Sequence, residues 1–392
     1  MDFDLTEEQR SLQGTLREFA HAELRPGAGQ RDKTGEFPSE QVRKLQRMGL
    51  FGLIIPVEYG GKGEGLVSYA IAVEELARHD ASVAVTLLAH TLCAAHINVF
   101  GTEEQKERYL APLAGGEKLG AWALTEPGAG SDAGSIFSSA VADNNEWRIT
   151  GNKYLITNGS RADTIVVMAS TDKSLGAKGI SAFIVPGETA GLTRGKNLEK
   201  LGFRSSDTAA LILKDIRLPK GNILGCENSG FVQAMEVLNA GRIGVAAMAS
   251  GIGRGCLEES IAYARGRSAF GHPIAEFQAI QWMVADMATE LDAARLLTRR
   301  AARLRDRGER FSTEASMAKL YSSEAAMRAS LKAVQIHGGH GYTSAFPVER
   351  YMREAKMCEI GEGTSEIQRM LIARALLGET GYRGQGTAAS GQ

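Results

Sequence analysis

Three observations predict an α+β chain that is mainly α, with helical regions at both ends and a β domain between them. Apolar residues recur at helical spacing up to about residue 119, short β-rich runs fill residues 120–228, and the helical period returns over residues 229–380. The third observation is size. At 392 residues, with 43% hydrophobic and 23% charged content, the chain is long enough for two or three domains around a large core.

Thr6 and Gln9 form a capping box, and Leu12, Leu16 and Phe19 then mark one face of a first helix. More helix follows to about Leu113. The middle region carries Trp147-Arg148-Ile149-Thr150, Thr164-Ile165-Val166-Val167, Ala182-Phe183-Ile184-Val185 and Ala210-Leu211-Ile212-Leu213, separated by Gly, Asn, Asp and Pro. From Phe231 onward the helical period is clearest at Ile280, Met283, Val284, Met287 and Leu291, and again at Met317, Leu320 and Tyr321. These segments are long enough for an antiparallel four-helix bundle. Residues 381–392 are rich in Gly, Ser and Gln without apolar periodicity, which predicts a disordered tail.

Several function classes drop out. A formal net charge of −1 with interspersed signs gives no case for nucleic acid or for an anionic membrane. Cys93, Cys226, Cys256 and Cys358 lie far apart with no C-x-x-C pair, so neither a disulfide framework nor a zinc knuckle is predicted, and a reducing compartment follows. No apolar run approaches the roughly 18 residues that a membrane span needs, and the acidic start Met1-Asp2-Phe3-Asp4 is unlike a signal or transit peptide, so a cytoplasmic location is expected. A nicotinamide enzyme is disfavoured, because the domain order is not Rossmann-like and no G-x-G-x-x-G follows a strand.

Five stretches carry chemistry. Ile360 to Arg369 places Glu362 between Gly361 and Gly363 just ahead of a helix, with Ser365 and Gln368 fitting a capping box. Glu362 is a candidate general base on a bend, or a simple partner for the helix dipole. The turn Leu124-Thr125-Glu126-Pro127-Gly128-Ala129-Gly130-Ser131-Asp132 offers backbone N–H groups and hydroxyls to a flat polar ligand, and a tight turn explains its glycines equally well. Ile156-Thr157-Asn158-Gly159 ends a strand in what reads as a hairpin turn. Arg267 to Gly271 ends one helix and Phe277-Gln278 begins the next, so Arg267 is a dipole partner or a diphosphate ligand. Gln335, followed by Gly338, Gly339 and Gly341, marks a helix end or a close approach to a cofactor. His337 and His340 lack a third ligand, and no metal is predicted.

Taken together and in this order, Thr125-Glu126-Pro127-x-x-Gly130-Ser131-Asp132, Ile156-Thr157-Asn158-Gly159, Arg267-x-x-Phe270-Gly271, Gln335-x-x-Gly338-Gly339-x-Gly341-Tyr342 and Glu362-Gly363-Thr364-Ser365-x-Ile367-Gln368 resemble the acyl-CoA dehydrogenase family from about Leu5 to Leu377. The resemblance implies that family's fold, with a β-barrel-like middle domain. It also implies FAD-dependent α,β-dehydrogenation of an acyl thioester, with Glu362 as base and as backbone oxyanion donor. Leu124, Thr125 and Thr157 match isoalloxazine contacts, Ser131 matches a contact to flavin or thioester, and Gly130 and Ile156 match further cofactor-binding positions. Arg267 and Gln278 match positions that reach the diphosphate and adenosine part across a subunit interface, Gln335, Gly338 and Gly339 match the adenine-side loop, and Phe270, Thr364 and Glu366 match further FAD-binding positions. Asn239, Arg242, Gly361 and Gly363 match substrate positions. The implied partners are an acyl-CoA or acyl carrier protein substrate, an electron-transfer flavoprotein, and copies of the chain in a homo-oligomer, as a tetramer.

Three departures from the family's pattern stand out. Leu155 occupies the place of a tryptophan that flanks the flavin, Asn239 that of an aspartate, and Gly361 that of a tyrosine. The last predicts room for a branched or bulky acyl group. An oxidase or monooxygenase on the same scaffold is the competing enzyme reading, and a helical scaffold without cofactor, colourless on purification, is the non-enzymatic one.

Overall fold

A computed structural model describes residues 4–378, so the predicted tail at 381–392 lies outside the described residues. The N-terminal region contains α1 (Glu7–Phe19), α2 (Arg25–Thr34), α3 (Ser39–Arg47), α4 (Leu66–Ala77), α5 (Ala81–Phe100), α6 (Glu103–Gln105) and α7 (Ala111–Ala114). The capping box at α1 is complete: the Gln9 N–H donates to Thr6 Oγ1 at 3.2 Å, and the Thr6 N–H donates to Gln9 Oε1 at 3.1 Å. Leu16 is fully buried, with Leu12 and Phe19 packed beside it.

One sequence expectation fails here. Helix α5 is long and apolar enough to cross a membrane, yet 72% of its most apolar window is buried inside the protein. Its N-cap Asp80 accepts from the Val83 N–H, and α4, α8 and β1 pack around it, so its apolar surface is satisfied by the core.

The middle region holds β1 (Gly120–Ala123), β2 (Ser139–Asp143), β3 (Glu146–Thr157), β4 (Thr164–Ser170), β5 (Ile180–Pro186), β6 (Leu192–Arg194), β7 (Thr208–Pro219) and β8 (Ile223–Leu224). They form one sheet in the order β6-β7-β3-β2-β4-β5-β8, with β1 parallel to β4. Ile165 to Ala169 of β4 are completely buried, which is why that strand reads as a continuous apolar run instead of an alternating one.

The C-terminal region comprises α8 (Gly230–Gly266), the hairpin β9 (Ser268–Ala269) and β10 (His272–Pro273), α9 (Gln278–Asp306), α10 (Ser312–His337), α11 (Val348–Ile360) and α12 (Ser365–Leu377). Helices α8 to α11 form the bundle, and α12 packs on α10. The buried face of α10 is not the one expected. Ala315, Ala318, Ser322, Ala325, Ala329 and Ala333 point inward, while Met317, Leu320 and Tyr321 are half-buried. Small side chains let the helices approach closely, as at Gly253 of α8, where a Cβ would lie 2.3 Å from Leu291 Cδ2.

Candidate active site

Glu362 lies in the link between α11 and α12 with φ of +53°, followed by Gly363 at +95°. A left-handed glutamate is held against an intrinsic penalty of about 1 kcal/mol, so the surroundings must fix it. Two side chains do so. Lys319 Nζ, from α10, donates to the Gly363 carbonyl at 2.7 Å, and Gln368 Nε2 donates to the same oxygen at 2.9 Å and to that of Glu362 at 3.4 Å. Gln368 is thereby diverted from the expected capping box. Thr364 caps α12 instead, accepting from the Ile367 N–H at 3.4 Å, and Ser365 becomes the first helical residue.

The carboxyl group faces α8. Glu362 Oε2 is buried and has no hydrogen-bond partner among the described residues, and a Cβ on Gly241 would lie 2.3 Å from it. Only glycine admits this approach. Burial pushes the Glu362 carboxyl up to about 7, against the opposing pull of the Lys319 and Arg242 charges. Burial also brings the Lys319 ammonium down to about 8. The Glu362 backbone N–H donates no hydrogen bond among the described residues.

Arg242, matched to a substrate position, acts on this carboxylate with its charge, and Asn239, also so matched, is the partner of Arg242. Arg242 is 6% exposed and donates from Nη1 to Asn239 Oδ1 at 2.5 Å. At Gly361 a Cβ would lie 2.7 Å from Met357 Sδ, so a flexible thioether forms the wall there.

A second cluster forms where β1 meets β3. Lys153 Nζ, fully buried, donates to Glu126 Oε1 at 2.7 Å and to the Leu124 carbonyl at 3.0 Å. Glu126 in turn accepts from the Phe137 N–H at 2.6 Å and from the Ser138 N–H. The Tyr154 N–H donates to the Thr125 carbonyl at 2.9 Å, closing the latch. A bulge between Lys153 and Ile156, with Leu155 at φ +59°, turns the Leu155 side chain outward to 54% exposure. Leu124 and Ile156 are buried, Thr125 and Thr157 are half-buried, and Gly130 and Ser131 are exposed.

The Asn-Gly pair is not a hairpin turn. Strands β3 and β4 are not paired, and Asn158 is buried with its Nδ2 donating to the carbonyls of Thr86 and Gly120, both at 3.0 Å. It ties α5 to β1.

The third group lies at the far ends of α8 and α10, which meet where Tyr263 stacks on His337 at 4.2 Å. Arg267 caps α8 with its N–H on the Tyr263 carbonyl, and Phe270 is 93% exposed. Gln278, Gln335, Gly338 and Gly339 are exposed there too. No hydrogen bond or ion pair among the described residues joins this group to Thr125 or to Glu362. His337 and His340 both pack on Tyr263. Glu366 is exposed in the first turn of α12.

Profiles of the acyl-CoA dehydrogenase N-terminal, middle and C-terminal domains match residues 6–117, 121–216 and 228–377. The chain belongs to the acyl-CoA dehydrogenase family. Members of this family are FAD-dependent oxidoreductases. The short-chain specific acyl-CoA dehydrogenase of Clostridium acetobutylicum is 47% identical over 95% of this chain and 99% of its own. Butyryl-CoA dehydrogenase from Megasphaera elsdenii superposes with a TM-score of 0.94 at 43% identity, covering 96% of this chain and 100% of that one. A chain in a structure described as the electron transferring flavoprotein of Acidaminococcus fermentans gives 0.95 at 47% identity, with coverage of 96% and 100%.

The residues present fit FAD. The hydroxyls of Thr125, Ser131 and Thr157 make no hydrogen bonds among the described residues, and they accompany the outward apolar face of Leu155. At Gly130, Gly338 and Gly339 no atom of the described residues stands within 4 Å of an ideal Cβ, so those spaces are open. The sequence missed Lys153 and Lys319. Lys319 sits four residues after Ala315 and three before Ser322, on a helical face otherwise made of small buried residues, and that spacing was its signal.

Proposed function

We propose that this acyl-CoA dehydrogenase oxidises the Cα–Cβ bond of a short acyl-CoA to the trans-2-enoyl thioester, with Glu362 as the α-proton base. The observation that carries this is Glu362 Oε2, buried beside Gly241 without a hydrogen-bond partner among the described residues, on a carboxyl that burial pushes up to about 7. An α-proton is far too weakly acidic for a carboxylate in water, so the site must stabilise negative charge at the thioester oxygen where water is excluded. The free Glu362 backbone N–H suits that oxygen. The proton from Cα passes to Glu362 Oε2, and its bonding pair becomes the new double bond. Bound FAD supplies the hydride acceptor for the hydrogen at Cβ.

Leu124, Thr125, Gly130, Ser131, Ile156 and Thr157 hold the ring side of FAD in this reading, with Thr364 and Glu366 adding contacts. Arg267, Phe270, Gln278, Gln335, Gly338 and Gly339 lie in a group apart from Glu362, which supports their serving the partner protomer of a homo-oligomer. An electron-transfer flavoprotein is the proposed acceptor, supported by the similarity to the chain from the Acidaminococcus structure. Ser131, Asn239, Arg242, Gly361 and Gly363 line the thioester in the same reading.

A branched acyl group is the second reading. Gly361 favours it, because the wall there is the flexible thioether of Met357 instead of a fixed ring. Anaerobic bleaching of the holoenzyme's flavin across straight and branched acyl-CoAs tests both. Fastest bleaching by butyryl-CoA supports the short straight chain, and preference for isobutyryl- or isovaleryl-CoA supports the branched one. A panel without any bleaching overturns both, and peroxide formation in air replaces the flavoprotein acceptor with dioxygen.

A further inference from the structure

Arg242 is a buried cation whose hydrogen-bond partner carries no charge. Its Nη1 donates to the Asn239 amide oxygen at 2.5 Å, its Nε is buried without a partner among the described residues, and the carboxylate that acts on its charge is Glu362. Gly241, its chain neighbour, is the point where the α8 backbone meets the Glu362 carboxylate. Position 239 is thus two residues from Gly241, against which the base rests, and about one turn from Arg242.

The other groups facing Glu362 are accounted for. Tyr69 of α4 is buried, and burial raises its phenol well above its ordinary value, so it stays neutral. Lys319 of α10 donates to the Gly363 carbonyl, its charge acts on Glu362 alongside that of Arg242, and it also feels Cys358, Arg242 and Glu359. Glu366 of α12 is exposed to solvent. Arg242 differs in that its partner is a side chain, the neutral Asn239 amide, where Lys319 bonds a backbone carbonyl. In a low-dielectric pocket a charge balanced by a carboxylate in direct contact projects little field, whereas one bonded to an amide keeps most of it.

We propose that Asn239 leaves the Arg242 charge uncompensated so that it acts on Glu362, making Arg242 a positioning residue that sets the proton affinity of the base. This rests on the reading of Glu362 as the α-proton base. A carboxylate at position 239 closes an ion pair with Arg242 and withdraws its charge from Glu362. The amide therefore keeps the base ionised at lower pH than a carboxylate permits.

The test is a pH titration of the Glu362 carboxyl by difference infrared spectroscopy on the holoenzyme, with the band identified by its loss in Glu362→Gln. Asn239→Asp changes one amide to a carboxylate of nearly the same shape. Its Glu362 midpoint rises by about one pH unit, a tenfold gain in proton affinity. The acid limb of flavin reduction by limiting butyryl-CoA, which reports the free enzyme's ionisation, moves with it. Arg242→Gln raises the midpoint as well, and Arg242→Lys, which keeps the charge, restores it toward the wild-type value. Identical midpoints in the wild type, Asn239→Asp and Arg242→Gln overturn the proposal while leaving the base intact. Rapid flavin reduction by Glu362→Gln overturns the base reading instead, and the infrared comparison still decides whether Asn239 and Arg242 control that carboxyl.

Discussion

Lys319 Nζ donates to the Gly363 carbonyl oxygen at 2.7 Å, so a buried ammonium on α10 fixes the peptide that follows the proposed base. Lys319→Met removes that donor and leaves a carbonyl held by Gln368 alone. Displacement of a reacting group by about 1 Å lowers a rate roughly 100-fold. Flavin reduction by butyryl-CoA should slow by that order while the flavin-to-protein ratio stays near that of the wild type.

Lys153 and Glu126 form a buried ion pair under the latch between β1 and β3. Removing one partner of such a pair costs on the order of 3–5 kcal/mol, because the other charge is left buried. Lys153→Met should show that loss in chemical denaturation. It should also lower flavin retention, since the Leu124 carbonyl loses its donor.

The helical periods of the end regions and the strand runs of the middle were legible because burial on one face or on both leaves a pattern along the chain. The Thr6–Gln9 box was legible because capping is local. The α10 face escaped because Ala315, Ala318 and Ser322 carry almost no hydropathy signal, although close helix packing selects them. Lys153 sits in a strand where a buried and a solvated lysine look alike, and only the fold brings Glu126 to it. The α12 cap was misplaced by one residue because the carbonyls of Glu362 and Gly363 compete for the Gln368 amide.

Gly241→Ala puts a methyl group 2.3 Å from Glu362 Oε2 and 2.8 Å from Leu92 Cδ2. The carboxylate must move. Stopped-flow flavin reduction should fall by about tenfold or more with FAD still bound, since the displacement is at the base.

Burial raises the Glu362 carboxyl from 4.5 to about 7, so this group favours the folded state below pH 4.5 and loses that contribution as pH rises through about 7. Glu362→Gln removes the dependence. Denaturation of the two holoproteins should agree near pH 4.5, and the variant should be more stable at pH 8 by on the order of 3 kcal/mol, the equivalent of the shift.

Arg267 is exposed at the end of α8, apart from Glu362. Arg267→Ala should lower the flavin-to-protein ratio after gel filtration. The flavin that remains bound should be reduced by butyryl-CoA at nearly the wild-type rate, because the residue lies far from the proton transfer in chain and in contacts.

Anaerobic stopped-flow mixing of the wild type and Glu362→Gln, each with FAD bound, against butyryl-CoA tests the base most directly. The wild type should bleach within seconds and the variant should remain yellow, slower by several orders of magnitude. Bleaching of Glu362→Gln at a rate near that of the wild type would contradict the assignment of Glu362.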